Sequence, residues 1–334
     1  MTPQTSGPGR PSRRSIYAAL DQAMVDLQRI GGLPDPGVGS EIWDGIWYEE
    51  THHSTAIEGN TLILKQVRAL LERGLAVGNA ELREYLEVKG YADAARWVYA
   101  QATTPDRSSD RPIITLTEIR EIHRQVVTAA WDATPPQQHD LAEGPGSFRR
   151  RDIAPFAGGM KPPAFVDVPA WVDDWLTEAN AAPTPREHPV EQVARLHAAF
   201  ERIHPFRDGN GRTGRLGMNL MLVRHGYAPA IIYKRDRPRY LRALDRADRG
   251  DAGPLAELVA RAVKDSVDRF LFPALAGPHE LLPLSALTRR DLTILALRRA
   301  AEKGRLQAQR RTSGWYSTKT WVDRYAHSRF KRRG

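Results

Sequence analysis

The sequence predicts an all-α fold built around one sizeable core. Three observations carry that prediction: apolar residues recur at helical spacing along most of the chain, glycine and proline fall between those stretches, and 41% of the 334 residues are apolar. Residues 1–14, rich in Pro, Gly, Ser and Arg, are expected to be disordered. Ile16, Leu20, Ala23, Leu27 and Ile30 then follow a helical period that Gly31, Gly32 and Pro34 stop. A second helix is expected from Ser40, whose hydroxyl can cap it, through Ile42, Ile46 and Trp47 to Ile57, ending at Gly59-Asn60. Leu64 to Glu72 and Glu81 to Gln101 read as further helices, and residues 103–112 as a linker. Thr115 and Glu118 form a capping-box pattern ahead of Ile119, Ile122 and Val126. Residues 144–165 break the rhythm with prolines and paired glycines, which predicts a short β-hairpin or extended flap. Helical period resumes over Val168 to Asn180 and over Val190 to Ile203.

The division that follows is a helical N-terminal region (15–112), a core (113–275) and a small C-terminal module (281–334). Charge supports the last boundary. The net charge is +9, yet residues 281–334 hold fourteen basic and three acidic residues, so the remainder is near neutral. On this reading the tail is removable at about Pro283 without unfolding the core. The chain contains no cysteine, which rules out disulfides and thiolate chemistry and leaves a metal only oxygen or imidazole ligands. With no apolar run of about eighteen residues and no signal-like start, the expectation is a cytoplasmic protein without a membrane partner.

One stretch concentrates chemistry: HPFRDGNGRTGR, residues 204–215. Pro205 disfavours helical geometry at His204, so the preceding helix ends there and presents the imidazole at a corner. Asp208 to Gly211 supply turn chemistry, and apolar period restarts through Leu216, Met218, Leu220 and Leu222, so the loop feeds a helix N-terminus. Free amides, the positive end of the helix dipole and Arg207, Arg212 and Arg215 make a site for phosphate groups. Asp208 offers hard oxygen for a Mg²⁺ ion bridging phosphates, and His204 can take a proton from an attacking hydroxyl. Asn210 either holds a phosphate oxygen or bonds its own turn. A polar interhelix loop with solvated arginines shares this local chemistry, and only the full twelve residues separate the two readings.

Those twelve residues resemble the signature of the Fic family, HxFx(D/E)GNGRxxR, at every fixed position: His204, Phe206, Asp208, Gly209, Asn210, Gly211, Arg212 and Arg215. The resemblance implies a Fic-type helical bundle that transfers AMP from ATP to a Tyr, Ser or Thr hydroxyl of a protein, the chain itself among the candidates. It assigns His204 as base, Asp208 as Mg²⁺ ligand, Gly209, Asn210 and Gly211 as anion pocket, and Arg212 as phosphate ligand. Phe206 anchors the loop. The flap, with Gly158, Gly159, Met160 and Lys161, would pair with the target's backbone. Other transferred groups (phosphate, UMP), removal of AMP, and homodimer formation stay open.

Two further stretches bear on function. STAIEGN (54–60) resembles the family's inhibitory helix motif, (S/T)xxxE(G/N), with Ser54 and Glu58 in place; Glu58 is expected to form a bidentate pair with Arg215. The adjacent His52 and His53 read as helix surface, since neighbouring side chains do not share a face. The basic tail distantly resembles an excisionase-type winged helix-turn-helix, with residues 302–316 as the wing, which makes DNA or another polyanion a candidate partner. A second class of function is therefore a DNA-binding regulator whose core senses nucleotide.

Overall fold

The computed structural model describes residues 12–36, 40–103, 112–133, 141–154, 160–184, 187–311 and 314–330. Helices dominate: α1 (Arg13–Arg29), α2 (Ser40–Ile57), α3 (Leu64–Arg73), α4 (Leu82–Thr103), α5 (Leu116–Ala133), α6 (Val168–Ala179), α7 (Pro189–Ile203), α8 (Asn210–Arg224), α9 (Arg237–Asp248) and α10 (Gly253–Ser266). A π-helical turn (Val267–Leu271) leads into α11 (Phe272–Leu275). The chain closes with β1 (Leu282–Pro283), α12 (Ile294–Glu302), β2 (Gln309–Arg311), β3 (Gly314–Ser317) and α13 (Lys319–Phe330).

The hub is α8. Leu216, Met218, Leu220 and Leu222 are fully buried, and the helix is enclosed by α2, α4, α5 and α7. A helix buried on nearly all sides, its polar side chains included, cannot shift without opening the core, so whatever is attached to its N-terminus is held rigidly. Buried polar pairs fix its neighbours. Asn219 donates to Glu50 of α2 (2.8 Å), which also accepts from Tyr91 Oη (3.0 Å) and Tyr99 Oη of α4. Arg224 pairs with Glu118 at 2.6 Å, and Glu118 completes the expected capping box with Thr115.

The N-terminus departs from expectation. Residues 1–11 lie outside the described residues, but Ser12 to Arg14 are not disordered: Ser12 Oγ accepts from Ser15 N–H (3.2 Å) and caps a helix that starts at Arg13. The Ser40 hydroxyl and most of the 103–112 linker lie outside the described residues. In the tail, β1, β3 and β2 form an antiparallel sheet in that order, with Leu282 opposite Ser317 and Arg311 opposite Gly314. The β2–β3 hairpin overlaps the stretch 302–316 expected as the wing. The apolar residues of the C-terminal module, among them Leu284, Leu297 and Val322, are continuous with the main core, and Lys319 Nζ donates to the carbonyls of Pro273 (2.7 Å) and Ala276 (2.6 Å). The boundary at residue 281 thus separates elements but not cores. Among the described residues no helix is long and apolar enough to cross a membrane.

Candidate functional site

The site forms where α7 gives way to α8. His204 closes α7 in the left-handed region (φ 49°, ψ 59°), a conformation rare outside glycine, while Pro205 blocks any continuation of the helix. Phe206 is fully buried and stacks on His123 of α5, ring centroids 3.7 Å apart. Asn210 settles its two readings in favour of its own turn: its side chain donates to Phe206 O (2.8 Å) and accepts from Phe206 N–H (2.9 Å). Gly209 adopts φ +76°, and a Cβ there would meet Val127 Cγ1 at 2.7 Å, so only glycine fits. The first helical bond of α8 is Thr213 N–H to Gly209 O, which leaves the amides of Asn210, Gly211 and Arg212 without an i−4 carbonyl.

His204 is held through its Nδ1. Its Nδ1 lies 3.3 Å from Glu201 O, a group that can only accept, so Nδ1 carries the proton and Nε2 keeps its lone pair. Burial, reinforced by the nearby Arg149 charge, holds the imidazole below its ordinary pKa against the opposing Glu201 carbonyl. Arg149 had no signal in the sequence. Its buried guanidinium donates to the carbonyls of His204 (2.9 Å), Arg151 (2.9 Å) and Pro163 (2.6 Å), tying the His204 corner to the two described ends of the 144–165 stretch. His123 was equally silent: it accepts from Gly146 N–H at Nδ1 (2.8 Å) and lies 3.0 Å from Asp208 O through Nε2, as a buried imidazole whose pKa is lowered to about 4.

Asp208 accepts from Gly209 N–H (2.6 Å) and pairs with Arg212 and Arg83, each at 3.2 Å. Burial pushes its carboxyl up, but Arg212, the Gly209 amide and Arg83 more than offset it and hold the group below the usual range. A Mg²⁺ ion bound with phosphates needs one or two protein carboxylates, so Asp208, its side chain 58% exposed on the rim of a cavity of about 230 Å³, fits that role. Among the described residues no cluster of three or more His, Asp or Glu stands ready to hold a metal unaided. All three loop arginines are engaged by side chains of the protein: Arg207 by the buried Glu143 (2.7 Å), Arg212 by Asp208 (3.2 Å) and Arg215 by Glu58 (2.7 Å).

The inhibitory motif meets the loop. Arg237 Nε caps the end of α2 at Ile57 O (2.7 Å), and the next residue, Glu58, reaches Arg215 Nη2 at 2.7 Å. The expected bidentate pair is not formed: Arg215 also donates from Nη2 to Ser54 O (3.0 Å) and from Nε to Ser54 Oγ (2.7 Å), so its fork is divided between the two motif residues. Arg215 lies in the second turn of α8, not at its start. Burial raises the Glu58 pKa, and Arg215 reverses this to leave it low.

The flap is described only in part. Gly158 and Gly159 lie outside the described residues, and the described portions, 141–154 and 160–164, contain no strand. Met160 is buried in the main core and Lys161 is exposed, so only the latter side chain faces outward. An apolar side chain beside an open core is drawn inward whatever the backbone does. His52 and His53 are half-buried: His53 Nε2 pairs with Glu49 at 3.2 Å and its ring meets Tyr233 edge-on.

Residues 113–222 match the Fic/DOC family. The chain is 33% identical over 250 residues to the protein adenylyltransferase Fic of Drosophila mojavensis, an alignment covering 75% of this chain and 46% of that protein. The chain thus spans about half the length of the curated relatives it matches. The structure superposes on a Fic domain containing signaling protein from Bacteroides thetaiotaomicron with a TM-score of 0.63 at 27% identity, covering 77% of this chain and 96% of that one. It superposes on Fic-1 from C. elegans with a TM-score of 0.61 at 29% identity, covering 78% and 70%. Fold, motif and relatives agree: the chain belongs to the Fic/DOC family.

Proposed function

We propose that the chain is a protein adenylyltransferase that moves AMP from ATP to a protein hydroxyl, restrained by its own Glu58. The observation that carries the reading is the placement of His204: its Nδ1 lies 3.3 Å from the Glu201 carbonyl, which makes Nε2 the ring nitrogen able to accept a proton, at the corner that joins α7 to the α8 N-terminus. Its half of the chemistry is to accept the proton of the attacking hydroxyl. The amides of Asn210, Gly211 and Arg212 and the Arg212 guanidinium bind the phosphates and fix the α-phosphorus in line with that hydroxyl. As the oxygen attacks, the bond to the β-phosphate breaks and pyrophosphate leaves. Asp208 would hold Mg²⁺, which supplies neutralisation of the charge that develops on the phosphates.

The test is incubation of the purified chain with Mg²⁺ and ATP labelled at the α or the γ position, followed by mass spectrometry of the protein. Gain of AMP on a Tyr, Ser or Thr, lost in His204→Ala with nucleotide affinity retained, supports the reading. Transfer of the γ label alone would replace it with phosphate transfer. A second reading, favoured by the exposed β2 strand Gln309-Arg310-Arg311, adds binding of DNA or another polyanion through the C-terminal module.

A further inference from the structure

The candidate cation ligand is already engaged by a cation, and that cation comes from the N-terminal region. Asp208 has two oxygens. Oδ1 is used within the motif, by Gly209 N–H (2.6 Å) and Arg212 Nη2 (3.2 Å). Oδ2 is the oxygen left to meet a ligand, and Arg83 Nη2 holds it at 3.2 Å. The same guanidinium reaches Glu87 Oε1 through Nε at 3.1 Å, so it bridges a carboxylate of its own helix to the loop. Arg83 stands on the first turn of α4, outside residues 113–222, as does Glu58. The two residues are also fastened together. Asn60 donates to Glu84 O (3.0 Å), and Thr61 donates from its amide (2.5 Å) and hydroxyl (2.8 Å) to Glu84 Oε2, so the turn that follows Glu58 is bolted to the turn that carries Arg83.

We propose that Arg83 is a stand-in for the cation that accompanies ATP, as Glu58 is for a phosphate, so that the resting site is filled at both ends by charges of the chain itself. The proposal rests on the adenylyltransferase reading. Two positive charges cannot share one carboxylate oxygen at contact distance without strong repulsion, so an incoming Mg²⁺ must displace Arg83. The displacement needs no helix movement. Arg83 is half-exposed, with its side chain at 49%, and can swing into solvent while keeping Glu87. Arg83 therefore raises the cation concentration at which the site is loaded, independently of the Glu58 contact.

The test uses the full chain with His204→Ala to stop transfer, and follows ATP binding by calorimetry across a Mg²⁺ series, with and without Arg83→Gln or Arg83→Lys. Arg83→Gln should lower the Mg²⁺ midpoint about fivefold, the scale of a half-exposed ion pair, and leave ATP binding without Mg²⁺ unchanged. Arg83→Lys, which keeps the charge, should restore most of the original midpoint. An unchanged midpoint in Arg83→Gln overturns the proposal. So does weaker ATP binding at every Mg²⁺ concentration, which would make Arg83 a phosphate ligand. If neither this chain nor its Glu58→Gly variant binds ATP at any Mg²⁺ concentration, the adenylyltransferase reading fails and takes this proposal with it.

Discussion

Glu58 rests directly on the backbone of Gly211: a Cβ at Gly211 would lie 2.3 Å from Glu58 Oε1 and 3.0 Å from Arg215 Nη1. The absent Cβ at Gly211 therefore admits the Glu58 carboxylate, and under the adenylyltransferase reading a phosphate approaching the α8 amides would compete with it for one place. Buried Glu50, bonded to Tyr91, Tyr99 and Asn219, fixes the helix two turns before Glu58. Release is thus expected at the Glu58 end, not by withdrawal of α2.

Glu58→Gly should raise self-modification on the order of a hundredfold, since a displacement of about 1 Å at a reacting phosphate costs that much. Arg215→Ala should not, because the phosphate contact is lost with the inhibitory one. Label from α-labelled ATP incorporated by each protein, and by Glu58→Gly combined with His204→Ala, is the measurement. Equal rates for the first variant and the parent would end the autoinhibition claim.

The pH profile of transfer follows from the His204 environment. On the reading that His204 is the base, it acts only when neutral, and burial lowers its pKa from 6.5, so activity in the Glu58→Gly background should hold as pH falls through 6.5 and decline only further into the acid range. A decline centred above pH 6.5 would place the titrating base elsewhere.

Arg149 gives a stability prediction. Its buried guanidinium serves the carbonyls of His204, Arg151 and Pro163, and Arg149→Met strips all of them of a donor. The cost should be about 3 kcal/mol, with transfer falling at least tenfold because the left-handed turn at His204 loses its brace. Arg149→Lys should recover little, since an ammonium cannot span that fork. Chemical denaturation alongside the transfer assay checks both parts.

How much was legible depended on sequence distance. The motif from His204 to Arg215 could be read because its partners are neighbours: Asn210 bonds Phe206 and Asp208 bonds Arg212. Glu58 could be paired with Arg215 across 157 residues only through the resemblance, and the share taken by Ser54 was invisible because it depends on how α2 crosses α8. Arg83, His123, Glu143 and Arg149 carried no local pattern; each acts on the loop from another element. Met160 was named only as part of the flap, and its burial in the main core was not legible because it depends on the apolar elements that pack behind residues 160–164. Ser12 was hidden by a composition that suggests disorder up to the residue that caps α1.

Buried Glu201, one turn before His204, should make stability pH-dependent. Burial raises its carboxyl from 4.5 to about 7, opposed by Arg215 and aided by Glu58. Because the folded pKa lies above the unfolded one, the contribution is complete below pH 4.5 and is lost as pH rises through 7. The parent should lose roughly 3 kcal/mol relative to Glu201→Gln across that window. His123 and His197, lowered to about 4 and 3, act in the opposite direction on the acid side but are common to both proteins. Unfolding free energies with the same pH slope in the two proteins would refute the assignment.

The tail calls for a gentler test than truncation. Cutting at Pro283 would remove Leu284, Leu297 and Val322 from the main core and the Lys319 caps from Pro273 and Ala276, so the loss of any activity would be ambiguous. The edge strand β2 offers a cleaner handle. Gln309, Arg310 and Arg311 are all exposed, and the guanidinium of Arg310 lies over Trp315 (5.6 Å) while that of Arg311 lies over Tyr316 (4.7 Å), which holds both charges out on the wing at little entropic cost. Replacing both by Gln leaves the ladder to β3 intact, because that ladder is backbone. If the module binds a polyanion through phosphate contacts, each arginine releases close to one counterion, and the double variant should reduce the slope of log affinity against log salt by about 2. Anisotropy of a labelled DNA duplex across a salt series reads that slope. An RNA hairpin and a polyglutamate peptide in parallel separate duplex binding from general attraction to negative charge. A double variant with the parent's slope on all three would move the contact away from the wing, and no binding by the parent would leave the tail as a packing element of the core.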